Sequence, residues 1–269
     1  MSMIKIERHP ANSKGRDFLV GDLHGHRSDL ETELRSQGFA ANTGDRLFLV
    51  GDLVDRGPDS MGCLKFLEEA GVYAVRGNHE QAAIDYIDRV LHPVSELDSI
   101  NFEHWMLQCG GRWLVEYVSY ASRESLLALQ ERLLQLPHVM VVGEGAQRFN
   151  IVHAELADPQ APAGVWLDAD IDAGLPQADL NRLIWGRRLI TGARATLVDS
   201  VVPGLSPTYC GHTVLPAPIQ HDSHVFLDTG AFTEDGWLTV VQHPFTPQDS
   251  LSRRMQAQRA KLNFPIAAG

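Results

Sequence analysis

The pentapeptide FLVGD stands at residues 18–22 and again at 48–52, and AVRGN at 74–78 is a looser third copy. In each, a short apolar, β-favouring run gives way to Gly and then to an acid or amide. Helical periodicity follows every time. After the first copy, Leu30 and Leu34 sit one turn apart in RSDLETELRSQG. After the second, Cys63, Phe66, Leu67 and Ala70 share a face of SMGCLKFLEEAG before Gly71 stops it. After the third, GNHE opens QAAIDYIDRVL. Strand, loop and helix repeated three times is the grammar of a mostly parallel α/β sheet.

Sites in such sheets form beyond the carboxyl ends of the strands, so the repeats deliver Asp22, Asp52 and Asn78 to one edge. Taken singly, each reads better as the cap of its following helix. Their neighbours do not. His24 follows Asp22, Asp55 and Arg56 follow Asp52, and Arg76 and His79 flank the GN pair. Helix caps need no imidazoles or guanidiniums, whereas metal and phosphate chemistry uses both.

Farther along, residues 95–136 read as helical, through NFEHWMLQCG and RESLLALQERLLQLP, which Pro137 ends. HVMVVG and RFNIVHA read as strands around the turn-prone EGAQ. Residues 155–182, rich in Asp, Pro, Ala and Gly, predict a loop or lid with little regular structure. TYCGHT, HVFLDTGA and WLTVVQ return to β. From 243 onward, SLSRRMQAQRAKL predicts one peripheral helix with a solvated basic face.

The chain has 269 residues, 44% hydrophobic and 21% charged, enough to bury a sizeable core. The N-terminus shows no apolar h-region, and no apolar stretch approaches the roughly 20 residues of a membrane-spanning helix. Cys63, Cys109 and Cys210 are lone thiols without CxxC spacing, which suits a reducing cytoplasm. A formal charge of −11 argues against nucleic acid and membrane as partners. It leaves room for an anionic substrate, because a bound metal reverses the local field.

GDLHG (21–25), GDLVDRG (51–57) and GNHE (77–80), followed by His153 in IVHAE and His212 in YCGHT, resemble the signature motifs of the phosphoprotein phosphatase family of calcineurin-like metallophosphoesterases. The series LPHVM, IVHAE, LIWGRR, CGHT and FLDTGA is most similar to the small bacterial and bacteriophage branch. The resemblance runs in unbroken order from about 17 to 241. It implies two packed mixed sheets flanked by helices over residues 1–242, with 243–269 as a tail.

For the site, the resemblance implies one metal on Asp22, His24 and Asp52 and a second on Asp52, Asn78, His153 and His212, with Asp52 bridging. Mixed oxygen and imidazole ligands suit two divalent ions of the Mn, Fe or Zn kind, Mn first. The implied reaction is hydrolysis of phosphorylated proteins or peptides at phosphoserine and phosphothreonine, with phosphotyrosine as a further substrate. A metal-bridging hydroxide would attack phosphorus directly, without a phosphoenzyme. Arg56 and Arg76 would clamp the phosphate, and Arg187 resembles a further phosphate-facing arginine, with Arg188 as its rival. His79 would be the general acid and Asp55 its orienting partner.

Two other readings stand beside this one. A bis(5'-nucleosyl)-tetraphosphatase shares the fold, but that branch usually lacks the acid at the position of Asp55 and often has GNHD where this chain has Glu80. A non-catalytic metal-binding scaffold would show damaged ligands, and every matched position is competent. No feature sets an oligomeric state.

Other residues have plainer readings. His221 and His224 in QHDSH predict an exposed turn. His9, His26, His92, His104, His138 and His243 predict surface or packing. Trp105, Trp113, Trp166 and Trp185 predict core, Glu80 a first-turn acid favoured by the helix dipole, Asp228 a structural turn, and Cys210 packing. Glu155, where much of the family has Gly, is expected to tune the second metal or to reject some substrates.

Overall fold

A computed structural model describes residues 4–93, 95–158, 164–192 and 201–246, so the helix expected in SLSRRMQAQRAKL lies outside the described residues. The chain opens on β1 (Ile6–His9). It then lays down β2 (Asp17–Val20), β3 (Arg46–Leu49) and β4 (Val72–Ala74), followed respectively by α1 (Arg27–Ser36), α2 (Ser60–Lys65) and α3 (Asn78–Leu91). Helices α4 (Glu96–Gln108), α5 (Arg112–Tyr120) and α6 (Arg123–Gln135) precede β5 (Val139–Val142) and β6 (Phe149–Val152). After α7 (Asp168–Ala173), α8 (Leu180–Trp185) and α9 (Arg188–Gly192) come β7 (Thr208–Cys210), β8 (Ile219–His221), β9 (His224–Phe226) and β10 (Val240–Gln242).

Among the described residues the strands form two mixed sheets. One runs β10-β2-β3-β4, parallel except where β10 closes antiparallel on β2. The other runs β1-β5-β6-β7-β9-β8. The apolar runs that open the pentapeptides do not alternate with polar residues because both faces of the sheet are covered. In β2 and β3, Leu19 and Phe48 face the second sheet, meeting Met140, Phe149, Ile151 and Tyr209 there. Their neighbours Phe18, Val20, Leu47 and Leu49 face outward onto the helices, with Leu30 of α1, Leu64 of α2 and Ile87 of α3. On the far face of the second sheet, Val139, Val141 and Phe226 pack with Ile171 of α7 and Leu183 of α8.

Two expectations are corrected here. The segment 155–182 is not structureless, since α7 and the first residues of α8 fall within it. Asp170 accepts the backbone N–H of Leu167 at 2.8 Å and starts α7, and burial of Ile171 and Leu183 holds two helices too short to show a periodicity. The turn in QHDSH is confined to Asp222 and Ser223, both at positive φ. His224 is fully buried on β9, where Nδ1 donates to Asp222 O and Nε2 accepts the Leu156 N–H.

β2, β3 and β4 end beside β6 and β7, which run parallel to each other, and the ends of these strands carry the candidate site. Fully buried Phe48 sits in the contact between the sheets, stacked on Tyr73 at 5.2 Å and edge-on to Phe149 at 5.9 Å. Phe48→Ala is therefore expected to lower stability by about 3–5 kcal/mol, measured by urea denaturation.

Candidate metal centre

Each repeat places its residues through backbone contacts made by its neighbours. The carbonyl of Asp52 accepts the N–H groups of Leu23 and His24 at 3.0 and 2.8 Å, fastening the first loop to the second. The third loop is fastened by Glu80. Its Oε2 accepts from Asp52 N and Gly77 N at 2.9 and 2.8 Å, and its Oε1 accepts from Leu53 N at 2.8 Å. A first-turn acid explains only the Gly77 bond. The rest is tertiary, and Glu80 is fully buried. Burial, with the Asp52 charge added, raises its pKa to about 7 against the pull of those N–H groups. Gly77 is glycine because a Cβ there would collide with Asp52 Oδ1.

Two groups of side chains meet at Asp52. His24, Asp52 and His79 form one and Asp52, His153 and His212 the other, and the ligand atoms of each lie within 4.8 Å of one another. Asp52 Oδ2 stands 3.6 Å from His24 Nε2, and Asp52 Oδ1 stands 3.4 Å from His153 Nε2. One carboxylate thus offers an oxygen to each group. His24 Nδ1 donates to Val54 O and His153 Nδ1 to Val50 O, both at 2.9 Å. Each ring therefore turns a lone pair at Nε2 into the site. Asn78 Oδ1 lies 2.9 Å from His153 Nε2, and His212 Nδ1 lies 3.2 Å from it. Electron-pair donors facing one another at such distances fit a cation between them.

Asp22 is placed differently. Both its oxygens accept the His212 N–H, at 3.1 and 3.0 Å, and it lies outside the two groups. It shares a buried acidic neighbourhood with Asp52 and Asp228. Burial first, then the charges of Asp228 and Asp52, raise its pKa well above the carboxylate range. Burial and Asp52 likewise raise Asp228 to about 6. Asp228 also accepts the Gly230 N–H at 2.8 Å, so the turn expected of it is present and the acidic cluster is added to it. Burial lowers His24 to about 3 and His212 to about 2, leaving both as neutral donors. A cation suits this set on both counts.

His79 differs from the other imidazoles. Its Nδ1 donates to Asp55 Oδ2 at 2.6 Å, and its Nε2 faces Asp52 Oδ2 at 3.8 Å. Burial works against its protonation, but Asp52 and the Asp55 hydrogen bond outweigh burial and raise its pKa above that of free imidazole. Arg56 is exposed, lies over the Phe232 ring at 4.0 Å and donates to His24 Nε2 at 2.8 Å. Arg187, also exposed, donates to Thr213 Oγ1 at 3.2 Å, beside His212. Arg188 turns away to Asp158 at 3.0 Å, which separates the two candidates.

Arg76 does not join this group. Its guanidinium donates to Leu134 O and Leu136 O at the end of α6, at 2.5 and 3.2 Å, where it satisfies carbonyls the helix leaves open. Glu155 also turns elsewhere. Its two oxygens accept the N–H groups of Leu189 and Ile190 at 3.0 Å, closing the start of α9. Trp185 is 44% exposed, with its edge toward His212 at 5.7 Å, so it is not core. Phe232 and Trp113 had no motif to announce them. Trp113 donates to Asp55 Oδ1 at 2.6 Å.

The calcineurin-like phosphoesterase profile matches residues 18–157. Serine/threonine-protein phosphatase 1 of Salmonella typhimurium is 32% identical over 227 residues, 84% of this chain and 90% of that protein. A symmetrical bis(5'-nucleosyl)-tetraphosphatase of Proteus mirabilis is 45% identical over 65 residues, 23% of each chain. Among solved structures, one titled as a putative diadenosine tetraphosphatase superposes with a TM-score of 0.55 at 22% identity, covering 90% of this chain and 94% of the other. The chain belongs to the calcineurin-like phosphoesterase family, whose members use divalent metal ions. It is a metallophosphoesterase.

Glu80→Ala removes the acceptor of three buried N–H groups, and the expected loss is roughly 3 kcal/mol or more in denaturant unfolding.

Proposed function

We propose that this chain is a phosphomonoesterase that removes phosphate from phosphoserine and phosphothreonine in proteins or peptides, with phosphotyrosine as a further substrate. One observation carries the reading: His79, held at 2.6 Å by Asp55, stands at the edge of a carboxylate shared by two ligand groups. Phosphate-ester cleavage needs a proton for the departing oxygen, and this pair provides it beside the place where a phosphate would sit. The likeness to a serine/threonine-protein phosphatase over most of both chains supports the protein substrate.

His24, Asp52, Asn78, His153 and His212 would hold two divalent ions, Mn first and Fe or Zn next, with Asp22 completing the first site. When bound, such ions acidify water and offset the charge of a phosphate. Arg56 and Arg187 bind and orient the non-bridging oxygens, where planar donors meet spreading negative charge. His79 hands the proton on Nε2 to the leaving oxygen, and Asp55 keeps the ring turned for that transfer. Attack is by water, so no phosphoenzyme forms. A reducing cytoplasm suits Cys63, Cys109 and Cys210, which are free thiols. No described helix is long and apolar enough to cross a membrane.

The tetraphosphatase is the second reading, favoured by the 45% local identity to the Proteus mirabilis enzyme. Turnover of a phosphoserine peptide is expected to exceed that of diadenosine tetraphosphate, and clear preference for the dinucleotide reverses the choice. His79→Asn is expected to keep its metal content by elemental analysis while hydrolysis of the peptide falls about 10²–10⁴-fold. Dialysis against a chelator should abolish activity, and Mn should restore it. Full activity after verified metal removal would sink the metal-dependent reading.

A further inference from the structure

The loop that carries Asp55 is under strain. Asp55 and Arg56 are consecutive non-glycine residues at φ of 73° and 68°, a left-handed conformation that persists only where neighbours enforce it. Part of the enforcement is local, since the Asp55 N–H donates to Ser60 Oγ at 2.9 Å. The rest comes from the turn between α4 and α5, more than fifty residues downstream. Arg56 N–H donates to Gly110 O at 3.0 Å. Gly110 packs so closely that a Cβ on it would stand 2.6 Å from Arg56 N. Three residues on, the indole of Trp113 donates to Asp55 Oδ1 at 2.6 Å.

The Asp55 carboxylate is thus held at both oxygens, by Trp113 on one and His79 on the other. Asp55 is fully buried, so no water competes for either position. We infer that Trp113 is a positioning residue for the reaction: its indole N–H fixes the plane of the Asp55 carboxylate, and through it the direction in which His79 Nε2 presents its proton. With one oxygen released, the carboxylate rotates about its Cβ–Cγ bond and the imidazole turns with it. This rests on the reading of His79 as the acid. In that step, the bond between phosphorus and the leaving oxygen breaks, the proton on Nε2 passes to that oxygen, a water oxygen forms the new bond to phosphorus and gives up one proton to solvent, and His79 takes a proton back from solvent before the next turnover.

The consequence is a dependence on the leaving group. A serine alkoxide departs poorly without a proton, whereas p-nitrophenolate departs readily without one. Trp113→Phe removes the donor and keeps an aromatic ring. The expected result is about a tenfold fall in kcat for a phosphoserine peptide and a several-fold smaller fall for p-nitrophenyl phosphate. KM and metal content stay unchanged. Equal losses on both substrates, or no loss on either, overturn the inference. If Trp113→Phe does not fold, benzothienylalanine at this position gives the same comparison, since it has the shape of tryptophan without its N–H. His79→Asn, measured alongside, separates the two levels. If it retains peptide hydrolysis, the acid assignment itself falls; if it is inactive while Trp113→Phe is uniform across leaving groups, only the role of Trp113 falls.

Discussion

Asp52 is the point at which three loops and two ligand groups are tied together. Its carbonyl anchors the first loop, its N–H is held by Glu80, and its Oδ1 accepts the His79 N–H at 3.0 Å. The residue adopts φ of 49°, which an aspartate keeps only when its surroundings leave no alternative. The loops are tied through the Asp52 carbonyl and N–H, and of its side-chain oxygens only Oδ1 takes a backbone donor, so the carboxylate still offers one oxygen to each group. Burial alone would push the carboxyl upward. Protonated His79, through its charge and its backbone N–H, works against burial and draws the carboxyl below its usual value.

Much of this was legible in the sequence because strand grammar fixes where a residue emerges. Asp22, Asp52 and Asn78 follow parallel strands in one sheet, so they reach one edge whatever else the chain does. His153 and His212 follow parallel strands of the other sheet and arrive opposite them. The same grammar says little about where a long side chain goes next. Arg76 emerges at that edge and then reaches back to α6, and Glu155 does the same toward α9. Trp113 shows the converse. It lies on a helix whose pattern reads as ordinary packing, and its role comes from a hydrogen bond to a residue 58 positions away. Helices α7 and α8 were missed because tertiary burial, not local propensity, holds them.

The arginines reconcile an acidic chain with an anionic ligand. The chain carries a net charge of −11, whereas the site has the exposed Arg56 and Arg187 beside it. Each is held before a ligand arrives, Arg56 by the Phe232 face and Arg187 by Thr213. A guanidinium already oriented loses little freedom when it meets an anion. Local arrangement outweighs overall sign here.

The edge strand β10 has a consequence for how the protein comes into being. It pairs with β2, joining residues 240–242 to residues 18–20. During synthesis β2, β3 and β4 leave the ribosome with the β2 flank of their sheet unpaired, and it stays so until residues 240–242 have followed. His212 is made almost as late, so the group it forms with Asp52 and His153 also assembles only then.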